Sequence, residues 1–147
     1  MEVLRDISPL LIDEGFLGFE NEQFVNSGQV MAAVPHQPVV QAMIEEYKKL
    51  HFTNADGSLN AVGCPHLNTD VMERFGLVRN GREQMVAGIH VYPADYFNPL
   101  DSVTGKLSKT ENTYSIHWYS MSWLPKHKQI KAKIGRLWRR ITKKVKS

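Results

Sequence analysis

The segment Tyr114-Ser115-Ile116-His117-Trp118-Tyr119-Ser120-Met121-Ser122-Trp123 holds the most informative set of residue types in the chain. A neutral imidazole can ligate a divalent metal. Hydroxyls such as Ser122 bond phosphate oxygens, and an indole such as Trp123 donates an N–H or stacks on a ring. Together they suit an anionic ligand. Taken alone, a His such as His117 in an aromatic strand is more often a satisfied core residue.

Two shorter pieces add polar groups. In Phe24-Val25-Asn26-Ser27-Gly28, the glycine lets backbone approach a ligand closely, and Asn26 and Ser27 offer donors and acceptors. The plain alternative is a turn into a strand. In Asn68-Thr69-Asp70, a carboxylate stands at the start of a short predicted helix, where capping is the plain alternative. Cys64 is the only cysteine, so no internal disulfide can form, and a lone thiol fits a reducing compartment. Its neighbour His66 is too close in sequence to make a Cys–His nucleophile of the usual geometry. No glycine-rich dinucleotide fingerprint, P-loop, HExxH or paired-cysteine zinc motif occurs.

These pieces need elements to hold them. Phe16 to Phe19 is a short apolar run, read as a buried strand, and Phe24 to Val34 is a second strand candidate. Val39, Val40, Met43, Ile44 and Tyr47 recur at helical spacing behind Pro38, which predicts an amphipathic helix over 38–51. Leu67 to Phe75 reads as a short helix closed by Gly76. Val86 to Tyr92 reads as a strand ending at Pro93, Asp101 to Lys109 as a polar hairpin or loop, and Tyr114 to Tyr119 as a strand. Glu2 to Ile12 fits a short helix or an extended piece, with no obvious first strand. The alternation of strands and helices predicts an α/β class.

With 147 residues, 42% hydrophobic and 22% charged, the chain has the balance of one ordinary globular domain. No window approaches the roughly 20 apolar residues of a membrane span, and Met1 to Glu14 does not read as a signal peptide. The net charge of +3 hides an asymmetry. Residues 126–147 hold ten Lys and Arg and no acid, leaving residues 1–125 with a net of −7. In that tail Ile130, Ile134, Leu137, Trp138, Ile141 and Val145 fall on one helical face, with basic residues filling the rest. This is the profile of an interfacial helix on an anionic membrane surface. A terminal helix packed on its own domain is the alternative. An acidic body without a reader motif weighs against nucleic acid. Two units are therefore expected, residues 1–125 and the basic amphipathic helix 126–147.

Taken in order, the pieces resemble glycosyltransferase family 32, the bacterial capsular and lipopolysaccharide sugar transferases that carry a DXD motif. Met1-Glu-Val-Leu-Arg-Asp-Ile-Ser-Pro-Leu-Leu is similar to the segment that directly follows that motif. Gly18-Phe19-Glu20, Asn26-Ser27-Gly28, Gly63-Cys64-Pro65 with Thr69-Asp70, and Val91 through Pro99 follow in the family's order. Thr110 through His117 to Ser122-Trp123 is the closest block, and the resemblance spans residues 1–123.

The resemblance implies the C-terminal portion of a GT-A fold, a nucleotide-sugar donor (UDP-linked first of all), a divalent Mn²⁺ or Mg²⁺, and retention at the anomeric carbon. It implies His117 as a metal ligand. Ser122, Trp123 and Gly28 would lie at the nucleotide and diphosphate, and Asn26 and Asp70 beside the transferred sugar. It also implies a DXD segment directly before Met1, whereas no Asp-x-Asp occurs in these residues. The isolated chain is therefore expected to be an inactive fragment of a transferase acting at the inner face of the cell membrane. The alternative is a non-catalytic module that docks on membrane or partner through its tail.

Overall fold

Buried strands need both faces covered, and the residue alternation in this chain supplies two different faces. The computed structural model describes residues 1–60, 62–119, 126–127, 130–131 and 134–135. Six short strands are described: β1 (Glu2–Val3), β2 (Gly15–Gly18), β3 (Met31–Ala33), β4 (Gln84–Val86), β5 (Ile89–Tyr92) and β6 (Ser115–Ile116). Three helices join them: α1 (Pro38–Lys48), α2 (Cys64–Arg74) and α3 (Ala94–Phe97). The class is mixed α/β, with two sheets.

The larger sheet has the order β3-β2-β5-β4. Its central pair, β2 and β5, is parallel, with Leu17 opposite Val91 and Gly18 opposite Tyr92. Both flanking strands run antiparallel to their neighbours. Leu17, Phe19, Ile89 and Val91 face α1 and α2, where Val39, Met43, Val71 and Met72 complete the main core. Phe16, Tyr92 and Phe97 form a second cluster on the opposite side with Leu10. Phe97 needs room there, and Gly18 provides it: a Cβ on Gly18 would lie 2.5 Å from the Phe97 ring. The smaller sheet pairs β1 with β6, antiparallel, with Glu2 opposite Ile116.

The Phe16–Phe19 run and the first helix form where expected, with α1 ending at Lys48. The Phe24–Val34 candidate is strand only at Met31–Ala33. Ahead of it, Asn26 Oδ1 accepts from Gly28 N at 2.7 Å and bends the backbone into an Asx turn. The Val86–Tyr92 segment is two strands rather than one. Ala87 and Gly88 take φ of 46° and 83°, the left-handed pair that a two-residue hairpin requires. Helix α2 begins at Cys64, earlier than Leu67, because Pro65 fits its first turn. Asn68, Thr69 and Asp70 therefore sit inside the helix and do not cap it. Strand β6 covers only Ser115–Ile116 of the expected Tyr114–Tyr119, and β1 supplies a first strand where none was obvious.

Helix α1 has an uncommon cap. Gln37 Oε1 accepts from Val39 N at 2.6 Å, and its Nε2 donates to the Ala87 carbonyl at 2.6 Å. One buried amide thus joins the start of α1 to the β4–β5 turn. Gln37→Ala removes the cap and leaves a carbonyl and helix N–H groups unpaired, so a loss of about 2–3 kcal/mol is expected. Urea unfolding checks it, and a loss within about 0.5 kcal/mol would mean the amide does not brace the turn.

Candidate functional site

Parallel strands that end side by side leave a crevice beyond their carboxyl ends, where ligands of α/β proteins gather. Here β2 runs out into Phe19-Glu20, and β5 runs through Pro93 and α3 to Asn98. The Asn26–Gln29 turn and the residues after β6 reach the same place. At its centre is the Glu20 carboxylate. The Tyr119 hydroxyl donates to Glu20 Oε1 at 3.0 Å, and Asn26 Nδ2 donates to Oε2 at 3.0 Å. Asn98 Nδ2 donates to the Tyr119 hydroxyl at 2.7 Å and to the Glu20 carbonyl at 2.9 Å. Asn26 Oδ1 accepts from Gly28 N at 2.7 Å and from Cys64 Sγ at 3.3 Å. The His117 ring lies 4.3 Å from the Tyr119 ring.

Several polar atoms in this nest lack hydrogen-bond partners among the described residues. They are both amide atoms of Gln29, Asn98 Oδ1 and His117 Nδ1. Gln29 is 0% exposed, and it lies close enough to the Tyr119 phenol to influence its ionisation, although not in good hydrogen-bond geometry. Buried groups in this condition are costly, and they collect where water or ligand completes them. Tyr119 also carries a φ of 48°, a strained setting for a bulky side chain of the kind found at binding sites.

Electrostatics bias the nest toward neutral forms. Burial is the main force raising the Tyr119 phenol well above its usual range, with the Glu20 charge adding to it. Burial also raises the Cys64 thiol, so the nucleophilic thiolate is disfavoured. Burial is again the first cause lowering His117, followed by the Met1 α-amino charge, with Glu20 opposing both. The ladder ends with Glu2 opposite Ile116, and the Met1 α-amino charge is near enough to act on His117. His117 therefore keeps a lone pair at neutral pH. Its folded pKa lies below the unfolded value of 6.5, so the unfolded chain takes up the proton first as pH falls. The His117 contribution to stability is intact above about pH 6.5 and declines below it, towards the folded pKa. Relative to the non-titrating His117→Gln, the wild type is expected to lose stability across that window. Parallel pH profiles of the two that show no such divergence would contradict this.

Of the residues singled out in the sequence, Asn26, Gly28 and His117 belong to this nest or its edge. Gly28 supplies the N–H that fixes Asn26, and a Cβ there would come within 2.9 Å of Asn26 Oδ1. Asp70 is not brought together with them. It stands on the solvent side of α2, 68% exposed, and pairs with Arg79 at 2.7 Å. The α2 side chains turned toward the Asn26 turn include Cys64, already bonded to Asn26 Oδ1, Asn68, donating to Ser27 Oγ at 2.6 Å, and Thr69, whose Oγ1 accepts from Val25 N at 3.0 Å. Ser122 and Trp123 lie outside the described residues. The sequence reading assigned no role to Glu20, Gln29, Asn98 or Tyr119. Glu20 and Asn98 fall within blocks that resemble family 32, Tyr119 stands within the aromatic block, and Gln29 carries no signal beyond following Gly28.

Among the described residues, no three His, Cys, Asp or Glu side chains come together in a way that could hold a metal ion. His117 offers one nitrogen, and the Glu20 carboxylate is engaged by Tyr119 and Asn26. The described residues therefore do not make a metal site by themselves. No family model, curated protein or solved structure matches the chain. The likeness to family 32 rests on the sequence blocks quoted for it.

Proposed function

We propose that the chain is the C-terminal part of a GT-A-like, family-32-like sugar transferase. It would act on a UDP-linked or other nucleotide-sugar donor, with a polysaccharide or lipid-linked glycan as acceptor in capsule or lipopolysaccharide synthesis. The observation that carries this reading is the nest beyond the carboxyl ends of β2 and β5. There Glu20, Asn26, Asn98 and Tyr119 interlock beside an unpartnered His117 nitrogen. Amides, a carboxylate and a phenol are the groups that hold and orient sugar hydroxyls. A cluster already fixed by internal hydrogen bonds costs little to reorganise when charge shifts in a transition state.

The resemblance assigns Mn²⁺ or Mg²⁺ to this kind of enzyme, with a DXD segment before Met1. Carboxylates arriving there would come near His117, since the Met1 α-amino charge already acts on that ring. In this reading the described residues bind and orient the sugar and shield the site, and no step is derived through a metal. Ser122 and Trp123 remain assigned to the diphosphate and nucleotide by resemblance alone. The 147-residue chain by itself is expected to turn over no UDP-sugar, with or without Mn²⁺.

The test is the mass of the native protein together with the codons upstream of Met1. An in-frame Asp-x-Asp directly before Met1, with a native mass well above 16.8 kDa, supports the reading. A native mass of 16.8 kDa with no such codons removes the enzyme claim.

A second reading has its own observation. In the tail, Ile130 and Ile134 are helical and 58% and 57% exposed. That is unlike an apolar stripe packed on its own domain. Among the described residues no helix is long and apolar enough to cross a membrane. An anionic membrane surface at the cytoplasmic face is the partner this reading names. It holds for a peripheral transferase and for a non-catalytic docking module alike.

A further inference from the structure

Beside the nest, and sharing two of its residues, lies an open cleft of about 480 Å³. Glu20, Asn21, Asp95, Asn98, Ser102 and Lys106 line it, with Pro99 and Leu100 giving an apolar wall. The outer limb is the 99–108 loop, held by the Leu100–Leu107 bridge and by Asp101 Oδ1, which accepts from Val103 N and Thr104 N at 2.8 Å each.

The chemistry of this cleft differs from that of an anion site. Glu20, Asp95 and Asp101 outnumber Lys106, so a phosphate entering it would meet net repulsion. The carboxylates also accept hydrogen bonds within the protein, Asp95 from Thr110 Oγ1 at 2.7 Å and Glu20 from Asn26 and Tyr119. Those bonds spread their charge and hold them in place, while each oxygen retains capacity for another donor. Asn98 is the independent pointer to a ligand. It is 7% exposed, it lines the cleft, and its Oδ1 has no partner among the described residues. That oxygen is itself buried, so a donor in the cleft reaches it only when the Asn98 side chain shifts, and an uncharged acceptor is then completed by a neutral hydroxyl. Hydroxyl-seeking groups on one side and an apolar wall on the other match the two faces of a pyranose ring.

We propose that this cleft is a subsite for a neutral carbohydrate, bound through its hydroxyls with its apolar face toward Pro99 and Leu100. That it would be the acceptor side of a transfer reaction rests on the function proposed above, whereas the binding itself does not. The sugar would reach the nest through Glu20 and Asn98, which belong to both. A hydroxyl of the bound glycan would thus arrive beside His117 and Tyr119 while the diphosphate stays out of the acidic cleft.

The test is a titration of the full 147-residue chain with neutral methyl glycosides (gluco-, galacto- and mannopyranosides, both anomers), followed by NMR of the Asn21 and Asn98 side-chain amides. Parallel titrations use UDP and inorganic phosphate. Saturable millimolar shifts of both amides with at least one glycoside, and none at these amides with phosphate or UDP, are expected. Ser102→Trp, which fills the cleft from its loop, is expected to weaken binding at least about tenfold. Ser108→Trp closes the mouth from the far end of the same loop and serves if the first variant does not fold. No shift with any glycoside, shifts unchanged in the folded plugged variant, or UDP competing at these amides would overturn the proposal. The transferase reading is judged separately by the upstream codons. An unresponsive cleft removes this subsite and leaves that reading standing, and a responsive cleft in a chain lacking those codons leaves a glycan-binding module.

Discussion

Phe97→Ala is expected to cost about 3–5 kcal/mol, a large share of the ~5–15 kcal/mol that holds a domain of this size together. Phe97 is 0% exposed. Its ring stacks on Phe16 at 5.7 Å and meets Tyr92 edge-on at 5.8 Å, with Tyr96 at 6.0 Å and Tyr114 at 6.5 Å. It therefore ties β2, β5, α3 and the residues entering β6 into one cluster. The fit depends on the bare backbone of Gly18, which leaves no neighbouring side chain able to fill the hole. The next residue is Asn98, so movement of α3 also displaces the amide that holds Tyr119 and Glu20. Chemical denaturation reads the effect, and Phe97→Leu, which keeps most of the volume, is expected to cost clearly less. A loss below about 1 kcal/mol for the alanine variant would show that this aromatic cluster is not a principal support of the fold.

Removing residues 126–147 is expected to abolish binding to anionic vesicles. The change takes the chain from a net of +3 to −7, so the truncated body is repelled by the surface that attracted the whole. Each basic residue near an anionic leaflet contributes up to about 1 kcal/mol, and the exposed Ile130 and Ile134 side chains add their own transfer. Even a fraction of that total corresponds to more than about a hundredfold in partitioning. Cosedimentation with phosphatidylglycerol vesicles measures it, with phosphatidylcholine vesicles and added salt as controls. Ile130→Glu separates the two contributions, since it removes little net charge but places a carboxylate on the apolar face. Unchanged vesicle binding after truncation would end the membrane reading. Stronger binding to duplex DNA than to vesicles would favour nucleic acid instead.

Where pattern and local chemistry agreed, the fold was legible in the sequence. Phe16 to Phe19 is apolar over one strand length, and the 3.6-residue recurrence after Pro38 marks α1. It was not legible where one side chain overrides the pattern. Asn26 turns a run of strand-like composition into an Asx turn. Ala87, unremarkable in type, takes a left-handed conformation before Gly88 and splits Val86–Tyr92 into a hairpin, and Gln37, fifty residues away, donates to its carbonyl. The site divides in the same manner. His117 and Asn26 stood out by type and setting. Glu20, Asn98 and Tyr119 matter because they meet one another, and the Glu20–Asn98 and Glu20–Tyr119 bonds span 78 and 99 residues. No local window contains such a triad. Asp70 illustrates the converse, since a promising residue type falls on the outer side of its helix and pairs with Arg79.

The ladder between β1 and β6 carries a kinetic consequence. It is two residues long on each side and exposed along β1, with one further backbone bond from Leu4 N to the Tyr114 carbonyl at 2.8 Å and exposed side-chain bonds from Trp118 Nε1 to Glu2 and from Arg5 to the Glu111 carbonyl. Among the described residues it pairs the strands farthest apart in sequence through a short backbone ladder, so it is expected to form late during folding and to open early in the native state. His117 and Tyr119 follow directly from it. Each opening would loosen the imidazole and the phenol together while the β2–β5 pair stays closed. Amide hydrogen exchange should therefore run faster at Leu4 and in β6 than in β2, and the lifetime of the assembled nest is set by this short latch, not by the core beneath it.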